Sequence, residues 1–160
     1  MISDVRSCHI YATDPVNGSV KNFHFYHQLL CFIDIIHTAG RWVGNSDLSG
    51  HVDFYPNHGL APQPGCEGRE SLDLSCSHRK AWQIYMESIQ TKKNLFFAVK
   101  CPSSEAFALG HCCHSHALLN LALMGESAHN TTRGTYYLYT NTDNPYAKKK
   151  SESINCNFKN

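Results

Sequence analysis

A chain of 160 residues is about one domain's worth, and 42% apolar against 17% charged residues describes a packed globular protein, not a disordered one. Fourteen Lys and Arg nearly cancel 13 Asp and Glu, leaving a formal charge of +1, which excludes the basic field that nucleic-acid binding requires. The one basic run, Lys148-Lys149-Lys150, reads as a solvated segment, and no apolar stretch reaches the roughly 18 residues of a membrane span. Eight cysteines without a CxxC point to disulfides and an oxidising compartment, and two glycosylation sequons, Asn17-Gly18-Ser19 and Asn130-Thr131-Thr132, agree with it. The opening Met1-Ile2-Ser3-Asp4-Val5-Arg6 lacks the charged-then-apolar pattern of an export signal. A secreted composition without that signal is expected of a fragment, a misassigned start or a truncated gene.

Residues 1–31 are poorly patterned. Phe32-Ile33-Asp34-Ile35-Ile36-His37 is a short, mostly apolar, β-branched run of the kind found in buried parallel strands. A loop with Gly40, Gly44 and Gly50 leads to a second short strand, His51-Val52-Asp53-Phe54-Tyr55, stopped by the turn chemistry of Pro56-Asn57-His58-Gly59. The Gly-, Pro- and Ser-rich stretch from 59 to 77 reads as a surface loop. Ser77 is placed to cap a helix from about His78, with Ala81, Trp82, Tyr85 and Ile89 on one apolar face. Leu95–Val99 is extended, His114–Met124 is helical in composition and ends at Gly125, and Thr135–Thr140 is again a strand. Short strands mixed with one clear helix give an α/β class, and the last ten residues read as a loose tail.

Five pieces in order carry a resemblance: Ile36-His37-Thr38; Gly50-His51-Val52-Asp53-Phe54-Tyr55-Pro56-Asn57; Gln63-Pro64-Gly65-Cys66; Cys76-Ser77-His78-Arg79-Lys80-Ala81; and Tyr85-x-Glu87-Ser88-Ile89. Together they resemble the pancreatic-lipase family of triacylglycerol lipases, lipoprotein lipases and phospholipases A1. Weaker echoes continue through Cys101-Pro102-Ser103, Met124-Gly125, Gly134-x-Tyr136-Tyr137-Leu138-x-Thr140 and Pro145-Tyr146-Ala147, so the resemblance covers about residues 32 to 147. It implies an α/β-hydrolase, here the C-terminal part of its sheet, with a triad in chain order Ser, Asp, His. On that reading residues 1–147 are a partial lipase catalytic domain and 148–160 a tail.

In the family motif the catalytic histidine lies two residues after the loop-closing cysteine, which is His78. The chemistry asks for a neutral imidazole that takes the serine proton and returns it to the leaving alcohol. The resemblance implies Asp14, in the His9-Ile10-Tyr11-Ala12-Thr13-Asp14-Pro15 turn, as the carboxylate that orients it; Asp34 and Asp53 read as structural strand residues. A nucleophile elbow needs Gly-x-Ser-x-Gly between a strand and a helix. The near misses at Ser46 and Ser127 lack the second glycine and follow Asp14 in the wrong order, so the serine is expected upstream of Met1 and the chain by itself is expected not to hydrolyse esters. The family also implies a lid disulfide, Cys66 with Cys76, closing only nine intervening residues as in phospholipase-A1-like relatives, and a second disulfide, Cys101 with Cys112. Cys8, Cys31, Cys113 and Cys156 are left without assigned mates.

Two rivals stand beside this reading. His111-Cys112-Cys113-His114-Ser115-His116 offers thiolate and imidazole ligands, but adjacent cysteines poorly fit one tetrahedral zinc, so disulfides are preferred there. The other rival is a non-catalytic lipid-binding or decoy homologue. The resemblance implies a lipid substrate at a membrane or lipoprotein surface, a secreted protein, no cofactor, and no metal in the chemical step; nucleic-acid and transmembrane roles are not expected, and the oligomeric state is open. Alone, the chain is expected to fold loosely, with Phe32–Ile36 on an open apolar sheet edge.

Overall fold

The computed structural model describes residues 12–13, 32–40, 44, 46–68, 75–90, 94–113 and 120–156. Its strands are β1 (Ala12–Thr13), β2 (Asp34–Ile36), β3 (Val52–Pro56), β4 (Phe96–Lys100), β5 (Leu121–Met124) and β6 (Gly134–Leu138); its helices are α1 (Cys76–Gln90), α2 (Ser104–Ala108) and α3 (Lys150–Ser153). The strands form one mixed sheet in the order β1-β2-β3-β6-β4-β5. β1, β2, β3 and β6 are mutually parallel, while β4 lies antiparallel to β6 and to β5. This is the α/β class expected.

The strands are apolar on both faces, as a sheet covered on both sides requires. Phe54, Tyr136, Leu138, Phe96 and Ala98 face one way and pack with Ala81, Ile84 and Tyr85 of α1. Tyr55, Tyr137 and Val99 face the other way and pack with Phe107, Ile154 and the Cys101, Cys112 and Cys156 sulfurs. β2 is flanked by β1 on one side and β3 on the other, so the open edge expected at Phe32–Ile36 is not present. Among the described residues no helix is long and apolar enough to cross a membrane.

Four local expectations are corrected. Residues 121–124 of the segment read as a helix form strand β5: Leu-Ala-Leu-Met suits a helix or a buried strand, and pairing with β4, Phe96 opposite Met124 and Val99 opposite Leu121, decides between them. Ser77 does not cap α1 but lies inside it, where its hydroxyl accepts a hydrogen bond from Gln63 N at 2.7 Å. The buried face of α1 is Ser77, Lys80, Ala81, Ile84, Tyr85, Glu87 and Ser88, whereas Trp82 is 49% and Ile89 46% exposed. At about 100° per residue those two share with Met86 a stripe on the side of the helix turned away from the core. The end of the chain, read as a tail, is also packed. Ser153 Oγ donates to Phe97 O at 2.7 Å, Ile154 is fully buried, and Cys156 is bonded to Cys113.

Polar side chains on α1 lock the helix to the loops beyond it. Ser88 Oγ donates to Tyr85 O and accepts from Glu126 N at 3.0 Å, while Tyr85 OH donates to Glu126 Oε2 at 2.6 Å. Gly125 sits against Ser88 at φ 81°, and a Cβ there would collide with the Ser88 hydroxyl. Next to Ser88 in the helix, Glu87 is 2% exposed and accepts from the backbone N–H groups of Tyr146 at 2.7 Å and Ala147 at 3.0 Å. Glu87→Ala leaves both N–H groups without that acceptor and is expected to cost about 1–3 kcal/mol. Urea unfolding followed by tryptophan fluorescence measures this, and a loss under about 0.5 kcal/mol, the size of an ordinary surface change, would show that Glu87 does not hold the 146–147 segment.

Candidate active site

Parallel strands present their carboxyl ends along one edge, where open α/β sheets bind ligands. β3 and β6 leave that edge side by side, Pro56 paired with Leu138, and the loops that follow are stitched together. Asn57 Nδ2 donates to Thr140 Oγ1 at 2.8 Å and to Gln63 Oε1 at 2.9 Å, and Thr140 N returns a bond to Asn57 Oδ1 at 3.0 Å. Gln63, 1% exposed, donates from Nε2 to Pro56 O at 3.0 Å and Leu60 O at 2.9 Å. These two side-chain amides supply partners to the backbone of the loop after β6 and of the Gly- and Pro-rich loop after β3.

That loop carries the first turn of α1. Gln63 N reaches Ser77, and Cys66 is disulfide-bonded to Cys76 with Cα atoms 5.8 Å apart. Lys80 Nζ donates to Thr142 O at 2.9 Å, tying the same turn to the loop after β6. His78 sits between these anchors, half-buried. Its Nδ1 is enclosed and has no hydrogen-bond partner among the described residues. Buried ring nitrogens are almost always satisfied, so this one calls for an acceptor from elsewhere in the molecule. Asp14, expected from sequence to orient His78, lies outside the described residues, directly after Thr13 at the carboxyl end of β1. Contacts between α1 and β1 bring that strand to the helix bearing His78.

Other histidine and serine candidates are placed differently. His37 Nε2 and Asp53 Oδ1 lie 2.8 Å apart, with His37 at 0% exposure and stacked on Tyr55 at 4.4 Å. The Asp53 carboxylate also accepts from Ser49 N at 3.2 Å and Gly50 N at 3.3 Å, so this sealed pair braces the loop between β2 and β3. Asp34 is likewise buried in β2. Ser46 is exposed in that β2–β3 loop, and Ser127 is exposed in the 3-10 turn Gly125–Ser127 after β5. Neither stands between a strand and an α-helix, as an elbow would. Cys112 is bonded to Cys101 and Cys113 to Cys156, which takes both thiols of the 111–116 cluster out of metal ligation.

The sequence did not single out His58. It adopts φ 72°, a left-handed conformation uncommon for a non-glycine residue, and its Nδ1 lies 2.7 Å from Ser104 Oγ. The ring meets Phe107 and Tyr139 edge-on and borders a cleft of about 470 Å³ lined by Asn57, Pro64, Tyr139, Thr142 and Lys148. The Asn-His-Gly turn was its only signal; the partners come from positions 104 and 139, which the strand pairing brings in.

Two outcomes are expected. Peptide mapping without reduction should recover Cys66–Cys76, Cys101–Cys112 and Cys113–Cys156, the first closing a small loop and worth about 2–3 kcal/mol by the chain-entropy account; any of these six found free or paired otherwise contradicts the arrangement. Burial holds the His58 pKa below its usual 6.5. The unfolded chain therefore binds more protons than the native one, and stability is lost as the pH falls through that value. His58→Asn, which tolerates the left-handed backbone, removes this loss, so the melting-temperature advantage of the parent over the variant should shrink between pH 8 and pH 5.5, a range flanking the histidine pKa. An advantage that grows instead overturns the assignment.

Comparison with known proteins agrees with the resemblance read from the motifs. The family described as Lipase matches residues 30–146. Human lipoprotein lipase is 30% identical over 135 residues, covering 72% of this chain and 28% of that protein. The mouse and cattle lipoprotein lipases match at the same identity and coverage. The chain thus spans under a third of the length of these relatives. The clamped loop and the mixed sheet are those of a chain that belongs to the pancreatic-lipase-like lipase family, with the α/β-hydrolase architecture that membership implies.

Proposed function

We propose that this chain contributes the histidine and aspartate of a Ser-Asp-His carboxylic-ester hydrolase acting on lipids, with His78 as general base and Asp14 as its orienter. The observation that carries the proposal is the enclosed Nδ1 of His78, without a hydrogen-bond partner among the described residues, on the first turn of a helix fastened to both carboxyl-edge loops. A carboxylate at Nδ1 fixes the tautomer that leaves Nε2 free as a base and stabilises the imidazolium formed when the serine proton arrives. Nε2 then protonates the leaving alcohol, and a water activated the same way releases the acid. The serine itself belongs to a Gly-x-Ser-x-Gly elbow that this sequence does not contain.

The substrate is a lipid ester at a membrane or lipoprotein surface. The Cys66–Cys76 loop spans only ten positions, too few for a lid that folds far over a cleft, which favours lipids with exposed head groups in the manner of a phospholipase A1. The three disulfides fit a secreted protein working in an oxidising medium.

The test fuses the chain behind a lipase half that supplies the elbow, and assays short-chain esters and phospholipid. His78→Ala and Asp14→Asn are each expected to lower kcat/KM by on the order of 10³-fold or more. A folded, active fusion indifferent to His78→Ala removes the proposed base; one indifferent only to Asp14→Asn reassigns the carboxylate. A fusion that folds and binds lipid without hydrolysis supports the non-catalytic homologue. The unfused chain should show background hydrolysis only, and labelling of one of its serines by a fluorophosphonate would contradict that.

A further inference from the structure

We propose that Asn130 is an N-glycosylation site whose glycan stands at the opposite end of the β-sheet from His78. The triplet Asn130-Thr131-Thr132 has the acceptor form, and a glycan attached there before folding is compatible with the fold only where the asparagine amide stays open. Here it is open. Asn130 is exposed, in a turn closed by Thr132 N donating to His129 O at 2.9 Å. The Arg133 guanidinium grips the turn from behind, donating to Asn130 O at 2.7 Å and Thr132 O at 2.8 Å, and His129 Nδ1 meets Thr131 Oγ1 at 2.7 Å. Every bond that shapes the turn runs through backbone atoms or neighbouring side chains. The Asn130 side-chain amide makes none among the described residues, so a sugar on Nδ2 displaces no structural contact.

The turn also lies at the right end of the fold. It enters β6 at Gly134, whose N–H bonds to His51 O just before β3, while the loops that hold His78 leave β6 after Leu138. At the usual strand rise those ends are about 13 Å apart. A glycan on Asn130 therefore keeps the amino edge of the sheet in water and leaves the carboxyl edge clear to approach a lipid surface. The other sequon, at Asn17, lies outside the described residues.

The modification needs a polyprenyl-pyrophosphate-linked oligosaccharide, the donor of the secretory pathway, which the disulfides indicate the chain enters. The bond between the sugar's anomeric carbon and the pyrophosphate breaks as the bond to Nδ2 forms, and the amide proton leaves with the pyrophosphate. The test expresses the whole chain in eukaryotic cells behind a cleavable leader, with Asn17→Gln present so that only one sequon remains. Addition precedes folding, so intracellular and secreted material both report. The expected result is a mass increase removed by peptide N-glycosidase with conversion of Asn130 to aspartate, lost in Asn130→Gln and Thr132→Ala, and kept in Thr132→Ser. An unmodified Asn130 in material whose three disulfides have formed overturns the proposal. The mass is read without any activity, so a failure of the hydrolase reading leaves this result standing. In an active fusion, enzymatic removal of the glycan should leave kcat/KM within about twofold; a larger change would overturn the placement of the glycan away from His78.

Discussion

Attachment of the first turn of α1 to the loops beyond β3 and β6 is the constraint on which the rest of the site depends. A helix beginning in a Gly- and Pro-rich loop has no intrinsic reason to hold one orientation. Among the described residues, two hydrogen bonds and a disulfide impose it: Ser77–Gln63, Lys80–Thr142 and Cys66–Cys76. With residues on either side of His78 tied down, the backbone that carries its ring has little freedom, which on the proposed reading pre-positions the base before any substrate arrives.

Family motifs far apart in the chain prove to be partners. Tyr85, Glu87 and Ser88 of one short motif meet Gly125 and Glu126 on one side and Tyr146 and Ala147 on the other. The Asn57 of a second motif bonds to the Thr140 of a third, and Gln63 of a fourth closes onto the loop between them. Each buried polar group in this set has its acceptor or donor supplied by another motif, so losing one member strands another in a low-dielectric setting. That mutual dependence gives a physical reason why these residues occur together.

Two histidines among the described residues, His37 and His78, differ sharply in their surroundings. His37 has its Asp53 partner, a stacked tyrosine and no exposure, and such a satisfied ring supports structure. His78 has an enclosed nitrogen with no partner among the described residues and a half-exposed ring. An imidazole poised for proton transfer needs one nitrogen held and the other accessible, a division of labour that His37, wholly enclosed, is unable to provide.

How much was legible in the sequence follows from how local each signal is. The strands at Asp34–Ile36, Val52–Pro56, Phe96–Lys100 and Gly134–Leu138 were readable because β-branched and aromatic runs bounded by turn residues carry their own periodicity. The Cys66–Cys76 pair was readable because it belongs to a contiguous run of family motifs, the same run that makes His78 the proposed base. Leu121–Met124 was not, since an apolar run of four residues suits helix or strand equally and only the β4 ladder chooses. Nor were the exposure of Trp82 and Ile89, the pairing of Cys113 with Cys156, or the meeting of His58 with Ser104, because each depends on groups brought together from distant parts of the chain. By itself the sequence determined the class of fold, the order of most elements and the residue to watch. Only the tertiary structure decided which polar groups were satisfied and that His78 Nδ1 has no partner among the described residues, because satisfaction is a property of three-dimensional neighbours and not of adjacent residues.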